Sequence, residues 1–308
     1  MPSSGYARPM ITAPLLVADV GGTSSRLALS DGPTLRLDTV RSFGNEGFSS
    51  FTAVLRSYLA EHPVAPAAIA LAGAGPVTGD RIRLTNRNWT ISAPEIATLT
   101  GCTNITLMND LQAMGHALAV PSIAGSPLTQ TRLVLAIGTG INAAVAHPTP
   151  GGAFVPTSEA GYSTLPVTTQ QDAALLAKLP VPAIESVLSG PGLTRLHQLR
   201  TGDMLPPEQI TRTSSDTLNM ALRLLGAHLG TLALTHLPMG GLYLAGSVGR
   251  ALHPHLNHPE FRDHYTNRGP YSDLVSAIPL RVIESDTAPL LGLAQHMANR
   301  TAPAPSFC

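Results

Sequence analysis

The chain has 308 residues, 44% of them hydrophobic and 12% charged, and its formal net charge is zero. This composition is typical of one large or two modest folded domains and argues against a disordered chain. Since there is no net charge and no apolar run of membrane-spanning length, we expect no nucleic-acid partner and no membrane span.

The first informative stretch is residues 15–29, Leu-Leu-Val-Ala-Asp-Val-Gly-Gly-Thr-Ser-Ser-Arg-Leu-Ala-Leu. Two apolar runs of strand length flank Gly21-Gly22-Thr23, which predicts a β-hairpin with positive φ at the glycines of its turn. Bare amides in such a turn can hold a phosphate. Asp19, just before the turn, could bind a divalent cation. An ordinary Gly-Gly hairpin with a stray acid fits the same residues, so both interpretations stay open.

A strand is predicted over residues 105–108, where it runs into Asn109-Asp110 and then into a helix over 111–118. Asn or Asp is the expected N-cap at such a junction. Asp110 is therefore either a helix cap or a functional carboxylate. The same junction is the expected hinge between the two halves of the chain.

The pattern of the first stretch recurs in the middle of the chain. Residues 133–137 form an apolar run that leads into Gly138-Thr139-Gly140, and a second apolar run follows over 141–146. This repetition suggests an internal duplication with two phosphate-holding hairpins. Counted back from the first glycine of each turn, Ala136 stands where the first copy has Asp19, so only the first copy would serve a metal ion.

The later half of the chain alternates between helical and strand patterns. Glu159 lies in a loop of small residues, Glu185 precedes a glycine-rich turn, and a short apolar strand ends at Gly246. Taken alone, such acids are more often solvated surface groups than ligands. The alternation indicates an α/β protein that is antiparallel at the start of the chain and parallel later.

The few cysteines and the one lysine exclude further classes of protein. Cys102 and Cys308 are the only cysteines, too few for a disulfide framework or a zinc cluster, and we expect a cytoplasmic protein. The polar N-terminus predicts no signal peptide. The one lysine, Lys178, is not in a Gly-Lys-Ser/Thr sequence, so a Walker loop is excluded. Phosphate chemistry in this chain must use backbone amides, a metal ion or arginine.

Taken together and in order, the motifs resemble those of bacterial glucokinases of the proteobacterial type, within the hexokinase and actin ATPase superfamily. The resemblance extends from Leu16 to about His296. The motifs that carry it are Asp19-Val-Gly-Gly-Thr23, Gly75-Pro-Val-Thr-Gly-Asp80, Leu84-Thr-Asn-Arg-Asn-Trp89, Asn109-Asp110, Gly138-Thr-Gly140, Glu185-Ser-Val-Leu-Ser-Gly-Pro-Gly192, Gly241-Leu-Tyr-Leu-Ala-Gly246 and Asp286-Thr-Ala-Pro-Leu-Leu-Gly292.

The resemblance implies two actin-like (ribonuclease H-like) α/β domains around a central cleft. A small α/β domain would take residues 1–109 and be completed by a C-terminal helix, 293–308, and a large α/β domain would take 110–292. It further implies transfer of the γ-phosphoryl group of ATP, with Mg²⁺, to the 6-hydroxyl of glucose by a homodimer.

Roles for individual residues follow from the same resemblance. Asp110 would be the general base and Asp19 the metal ligand. The sugar would contact Asn109, Glu159, Tyr162 and Glu185. The nucleotide would be held by Gly21, Gly22, Thr23, Gly138, Thr139, Gly140 and Gly246.

One departure from the family pattern bears on specificity. The family usually has Glu-Gly-Gly-His where this chain has Glu159-Ala160-Gly161-Tyr162. Tyrosine is bulkier than histidine, although it keeps a hydrogen-bond donor. Two alternatives to a glucose kinase therefore stay open, namely a kinase of the same fold with a shifted sugar preference and a non-catalytic sugar sensor.

Overall fold

The structure, a computed structural model, describes residues 13–167, 169–213 and 215–301. Cys308 and the end of the predicted C-terminal segment lie outside the described residues. By packing, the chain divides into two compact units. The first unit contains the described residues up to Ala113 and those from Pro289 onward, and the second contains Met114–Ala288. The functional domains that the sequence predicts, with boundaries after residues 109 and 292 and a cleft between them, stay a prediction.

The first unit begins with a hairpin and ends with the last helix of the chain. Its elements are β1 (Leu15–Val20), β2 (Ser24–Asp31), β3 (Thr34–Leu35), β4 (Arg41–Gly44), α1 (Phe51–Glu61), β5 (Ala68–Gly73), β6 (Val77–Thr78), β7 (Arg81–Arg83), β8 (Thr90–Ser92), α2 (Ala93–Thr100), β9 (Ile105–Asn109) and α3 (Asp110–Ala117), which continues into the second unit, and, at the far end of the chain, the helix Ala288–Thr301.

The second unit contains the longest helix. Its elements are α4 (Pro121–Ala124), β10 (Arg132–Ile137), β11 (Ile141–Thr149), β12 (Gly152–Phe154), α5 (Gln170–Leu176), α6 (Glu185–Leu188), α7 (Gly190–Thr201), α8 (Pro207–Arg212), α9 (Asp216–His236), β13 (Leu242–Ala245), α10 (Gly246–Leu252), α11 (Pro259–Thr266), α12 (Ser272–Ser276) and β14 (Leu280–Val282). The helix Ala288–Thr301 is α13. None of the helices in the described part of the chain has the length and apolar character needed to span a membrane.

The main sheet of the first unit has the order β3-β2-β1-β5-β9, with β4 paired to β2. The pair β1–β2 is antiparallel, whereas β1–β5 and β5–β9 are parallel. Successive residues of β1 point to opposite faces. Leu16 accordingly belongs to a buried cluster with Phe51 of α1, and Val17 belongs to another with Leu293 of α13. Both faces of the sheet are thus covered by helices.

The main sheet of the second unit repeats this arrangement, with the order β12-β11-β10-β13-β14. Again the first pair along the chain, β10–β11, is antiparallel, and the pairs β10–β13 and β13–β14 are parallel. The buried side of α9 packs in the large core cluster of this unit, together with residues of β10 and β13. The repeated hairpin pattern of the sequence therefore corresponds to a repeated sheet, and the predicted α/β class is confirmed.

Candidate active site

In the turn Gly21–Thr23, which joins β1 to β2, the carbonyl groups of Gly21 and Thr23 accept hydrogen bonds from Asn45, whereas two of the amides have no acceptor within the described residues. The carbonyl oxygen of Gly21 accepts a hydrogen bond from Asn45 Nδ2 at 2.9 Å, and that of Thr23 accepts one from the Asn45 amide at 2.8 Å. The Gly21 amide donates to the Ser24 carbonyl at 2.9 Å. Within the described residues, the amides of Gly22 and Thr23 have no acceptor. Two adjacent unpaired N–H groups are what a phosphate oxygen requires.

The expectation of positive φ at the turn glycines is wrong. Neither Gly21 nor Gly22 is among the residues with positive φ. The physical reason for glycine is instead a close approach, because a Cβ atom on Gly22 would lie 3.2 Å from Cβ of Asn86. The loop that contains Asn86 packs directly against the turn, so a larger residue at position 22 would push the two apart.

Asp19 lies on β1, two residues before the turn, with its side chain only 15% exposed. Its nearest cation is Arg26, its antiparallel partner in β2, with 3.9 Å between Nη1 and Oδ2. Burial raises the pKa of Asp19 to about 6, and the charge of Arg26 opposes that shift only in part. A buried carboxylate with so little compensating charge fits a divalent cation, for which carboxylate oxygens are suitable ligands.

The turn Gly138–Gly140 joins β10 to β11 and, like the first turn, begins with an amide that donates to a nearby backbone carbonyl. The Gly138 amide donates to the Gly140 carbonyl at 2.9 Å, and the Gly138 carbonyl accepts from the Gly190 amide at 2.7 Å. In the described part of the chain, the amides of Thr139 and Gly140 have no acceptor. The second and third residues of both turns therefore present unpaired amides.

A cavity of about 340 Å³ adjoins this second turn. Its lining residues are Gly138, Thr139, Gly190, Pro191, Thr194, Pro207, Glu208, Ser247 and Val248. Gly246, at the start of α10, has φ +78°, and a Cβ atom there would collide with the carbonyl of Ile137. Glycine at position 246 thus permits α10 to begin directly beside the turn and bring Ser247 and Val248 to the cavity.

Glu185, the first residue of α6, contacts both the second turn and Tyr162. Its Oε2 accepts a hydrogen bond from the amide of Ile141, the residue after the turn, at 2.9 Å. The Tyr162 hydroxyl donates to the Glu185 carboxylate, and the negative charge of Glu185, that hydrogen bond and the charge of Glu159 all raise the pKa of Tyr162. Tyr162 is nevertheless 66% exposed. A tyrosine and two carboxylates thus form one polar cluster that solvent or a ligand can reach.

Glu159 is held in this cluster by Asn142 of β11. Nδ2 of Asn142 donates to the Ser158 carbonyl at 2.7 Å and lies 3.3 Å from Oε2 of Glu159. Oδ1 of the same asparagine accepts from the Ala160 amide at 2.9 Å. Asn142 thus holds the loop at Ser158 and Ala160 and also contacts the exposed carboxylate of Glu159.

Asn109 and Asp110 stand where β9 ends and α3 begins. Oδ1 of each side chain accepts from the Leu111 amide at 2.9 Å, and Nδ2 of Asn109 lies 3.3 Å from the Gly75 carbonyl. Because α3 begins at Asp110, Asn109 occupies the position before the first helical residue, where a cap is expected. Asp110 lies in the first turn of the helix, whose positive dipole end favours an ionised carboxylate.

Sheet register brings the first-unit candidates to one edge. Val20, at the end of β1, pairs with Gly73 of β5, and Gly73 pairs with Asn109 of β9. Neighbouring strands are about 4.8 Å apart, so Asn109 lies roughly 10 Å from Val20 across the sheet. The Gly21–Thr23 turn and the Asn109-Asp110 junction thus share the carboxyl edge of the parallel strands, where ligands bind in open α/β sheets.

In the second unit, the turn Gly138–Gly140 and Gly246 follow the paired parallel strands β10 and β13. Glu185 connects its cluster with Glu159 and Tyr162 to this edge, because it accepts the amide of Ile141 directly after the turn. Asn45 and Arg87 also contact the first turn, and the sequence pattern predicts no role for either of them. Asn45 lies in Gly44-Asn45-Glu46-Gly47, which reads only as a loop.

Comparison with known proteins gives the family. The family model described as Glucokinase matches residues 16–300. A glucokinase of Nitrobacter hamburgensis is 31% identical, and the match covers 92% of this chain and 97% of that protein. The crystal structure of a glucokinase from an Antarctic psychrotroph superposes with a TM-score of 0.79 at 28% identity, covering 93% of this chain and 99% of that one. The glucose complex of a glucokinase from Balamuthia mandrillaris gives 0.74 at 20% identity, covering 94% of each chain. The protein therefore belongs to the glucokinase family.

Proposed function

We propose that this protein is a glucokinase that transfers the γ-phosphoryl group of ATP to the 6-hydroxyl of glucose, with Asp110 as the general base. Membership of the family, over residues 16–300, supports ATP-dependent phosphorylation of glucose. The observation that carries the phosphoryl-transfer part is the pair of hairpin turns, each with two adjacent amides that have no acceptor among the described residues.

The two turns would hold the phosphates of ATP. The transferred phosphoryl group carries its charge on its equatorial oxygens, and fixed N–H dipoles stabilise that charge without reorganising during the reaction. Gly22 and Thr23 would supply two such amides, and Thr139 and Gly140 two more. Gly246 and the cavity beside the second turn would take the rest of the nucleotide. Mg²⁺, bound through Asp19 and the phosphate oxygens, would neutralise charge on the phosphates.

The cluster of Glu159, Tyr162 and Glu185 would hold the sugar, together with Asn109. Sugar hydroxyls are hydrogen-bond donors, and carboxylates are the strongest acceptors that a protein offers them. Glu185 already uses Oε2 for the Ile141 amide, so its remaining acceptor capacity is shared between Tyr162 and a ligand hydroxyl. We therefore assign to Tyr162 a part in selecting the sugar.

Asp110 would accept the proton of the 6-hydroxyl. The oxygen of that hydroxyl attacks the γ-phosphorus, the bond from the γ-phosphorus to the β,γ-bridging oxygen breaks, and ADP leaves with the bond's electron pair. The proton passes to the carboxylate of Asp110. Its position in the first turn of α3 favours the ionised, proton-accepting form at neutral pH.

We further propose that the enzyme acts in the cytoplasm as a homodimer and supplies glucose 6-phosphate to carbohydrate metabolism. Family membership favours this catalytic interpretation over a non-catalytic sugar sensor. Light scattering of the purified protein tests the dimer, since a single species at the monomer mass of 32.1 kDa would contradict it.

The decisive experiment is an assay of ADP release with glucose, mannose, fructose or no sugar, together with identification of the phosphorylated product. We expect glucose to give the highest kcat/KM and phosphorylation at the 6-position. Equal ADP release with and without sugar would contradict the kinase proposal, and a higher kcat/KM for another hexose would contradict glucose as the substrate.

A further inference from the structure

We infer that Asn45 and Arg87 are positioning residues that hold the Gly21–Thr23 turn with its amides ready for the phosphates of ATP. This inference rests on the proposed role of the turn. Neither residue lies near it in the sequence, and neither belongs to the residues that the family motifs assign to nucleotide, sugar or metal. We call the two side chains the brace of the first turn.

Asn45 is the centre of the brace. It is fully buried. Its Nδ2 donates to the Gly21 carbonyl at 2.9 Å, its backbone amide donates to the Thr23 carbonyl at 2.8 Å, and its Oδ1 accepts from the Ser25 hydroxyl at 2.7 Å. Three bonds from one residue thus reach both ends of the turn and the first residues of β2. Because the side chain is enclosed, no water can replace its Nδ2 without rearrangement.

Arg87 supports the same structure from the other side. Its Nη2 donates to the Asn45 carbonyl and lies 3.4 Å from the Phe48 carbonyl, while Nη1 lies 3.5 Å from the Gly22 carbonyl. The guanidinium is stacked on the ring of Trp89, with Cζ 4.2 Å from the ring centroid. Trp89 is buried, so the stacking fixes the plane in which the guanidinium presents its N–H groups.

The brace fixes which side of the turn carries the carbonyl oxygens and which side carries the unpaired amides. Asn45 and Arg87 contact the carbonyl oxygens of all three turn residues, on the side away from the unpaired amides of Gly22 and Thr23. A peptide plane that is fixed through its carbonyl is also fixed through its amide. The guanidinium adds a positive charge behind the turn, where it raises the potential that a phosphate meets. Dipoles fixed in advance are the ones that stabilise a developing charge effectively.

Lysine could not replace Arg87 in this role. A guanidinium presents several N–H groups in one plane and can contact three carbonyl oxygens while it stacks on an aromatic ring, whereas an ammonium group is a point charge. Similarly, an aspartate at position 45 keeps the acceptor for Ser25 but loses the donor to Gly21. Arg87→Lys keeps the positive charge but removes the planar set of donors. Asn45→Asp keeps the size of the side chain but replaces the donor by a carboxylate oxygen and adds a buried negative charge.

The test compares four variants with the wild-type protein, namely Arg87→Ala, Arg87→Lys, Asn45→Asp and, as a matched control, Arg41→Ala. Arg41 also lies in the first unit and donates to the backbone carbonyls of Asp38 and Val40 and to the Glu61 carboxylate, and within the described residues it makes no side-chain hydrogen bond to the turn. For each we would measure kcat, KM for ATP, KM for glucose, the thermal midpoint, and the affinity for ATP by calorimetry without sugar.

We expect Arg87→Ala and Asn45→Asp to lower kcat/KM for ATP by roughly 10–100-fold, as loss of an orienting partner does elsewhere. We expect the KM for glucose to change by less than about threefold, and Arg41→Ala to stay within about twofold of wild type. Arg87→Lys should lie between wild type and Arg87→Ala, and it tests the inference if the alanine variant does not fold. A purely structural role would lower the thermal midpoint without this selective loss toward ATP.

Two results would overturn the inference. One is a folded Asn45→Asp or Arg87→Lys variant with wild-type kcat/KM for ATP. The other is a KM for glucose that rises as much as the KM for ATP, since that would mean a general disturbance. Failure of the proposed function is distinguishable, because a wild-type protein that does not phosphorylate glucose can still be compared with its variants in ATP affinity. Equal ATP affinity of the wild type and Arg87→Ala would then overturn the brace.

Discussion

The substitution Asp110→Asn separates the catalytic from the structural interpretation of this carboxylate. Oδ1 of Asp110 accepts the Leu111 amide at 2.9 Å, and Oδ1 of Asn109 accepts the same amide at 2.9 Å. An asparagine at position 110 keeps an acceptor there, and the neighbouring cap is untouched. The variant loses the interaction of a negative charge with the helix N-terminus, which contributes about 0.3–1 kcal/mol of stability.

The expected effect on turnover is much larger. An amide cannot take the proton of the attacking hydroxyl, so we expect kcat to fall by roughly 10²–10⁴ while glucose still binds. The assay is single-turnover kinetics with ATP and glucose, beside thermal unfolding with and without glucose.

The matched control for Asp110→Asn is Glu95→Gln, which removes an exposed acid from the first turn of α2 and so measures the helix-dipole contribution alone. An Asp110→Asn variant that turns over within about threefold of wild type would refute the base assignment. It would leave Asp110 as a structural residue at the start of α3.

Three further predictions address the metal, the sugar and the core. Asp19→Asn should fold and bind glucose but lose roughly 10²–10³ in kcat, measured over a Mg²⁺ titration, and wild-type turnover at limiting Mg²⁺ would contradict the metal assignment. Tyr162→His removes the tyrosine hydroxyl from Glu185 and should change the glucose-to-mannose ratio of kcat/KM by about 1–3 kcal/mol, whereas an unchanged ratio would place Tyr162 outside the sugar site. His228 of α9 is buried, its Nε2 has no hydrogen-bond partner among the described residues, and burial lowers its pKa from 6.5 to about 4. Between pH 6.5 and pH 4 the unfolded chain binds a proton that the folded chain does not. The free energy of unfolding therefore decreases as the pH is lowered, by about 3 kcal/mol at pH 4. Chemical denaturation at pH 7 and pH 4 should show this loss reduced in His228→Leu but not in His253→Gln, and equal losses in all three proteins would contradict it.

The sequence was sufficient for features that depend on local pattern. Two apolar runs around Gly21-Gly22-Thr23 predicted the β1–β2 hairpin, and the echo around Gly138-Thr139-Gly140 predicted the β10–β11 hairpin. Both predictions are confirmed, since strand length, alternation and turn glycines are all read within one segment. The parallel strands that join each hairpin follow from the alternation of strands and helices.

Contacts between distant segments could not be read in this way. Asn45 bonds to a residue 24 positions earlier, and Arg87 reaches back 65 positions to Gly22. Both are polar residues outside the sheets and α-helices. Arg87 lies within the motif Leu84-Thr-Asn-Arg-Asn-Trp89, but the motif does not show which carbonyl groups its side chain contacts. The wrong expectation of positive φ at the turn has the same origin. Glycine is needed at position 22 because of the Asn86 loop, which only the folded chain brings close.

The two turns are supported by side chains of opposite charge, and this difference bears on how the sites could be coupled. The first turn rests on the Arg87 guanidinium, a group with no proposed contact to the sugar. The second rests on Glu185, whose Oε2 accepts the Ile141 amide directly after the turn and whose carboxylate also accepts the Tyr162 hydroxyl. A sugar hydroxyl that binds Glu185 would draw on the same carboxylate charge as these two donors, so its arrival would change the support of the second turn. The same carboxylate would thus link sugar binding to nucleotide binding, and by reciprocity ATP in the second turn would alter the affinity for glucose by the same factor.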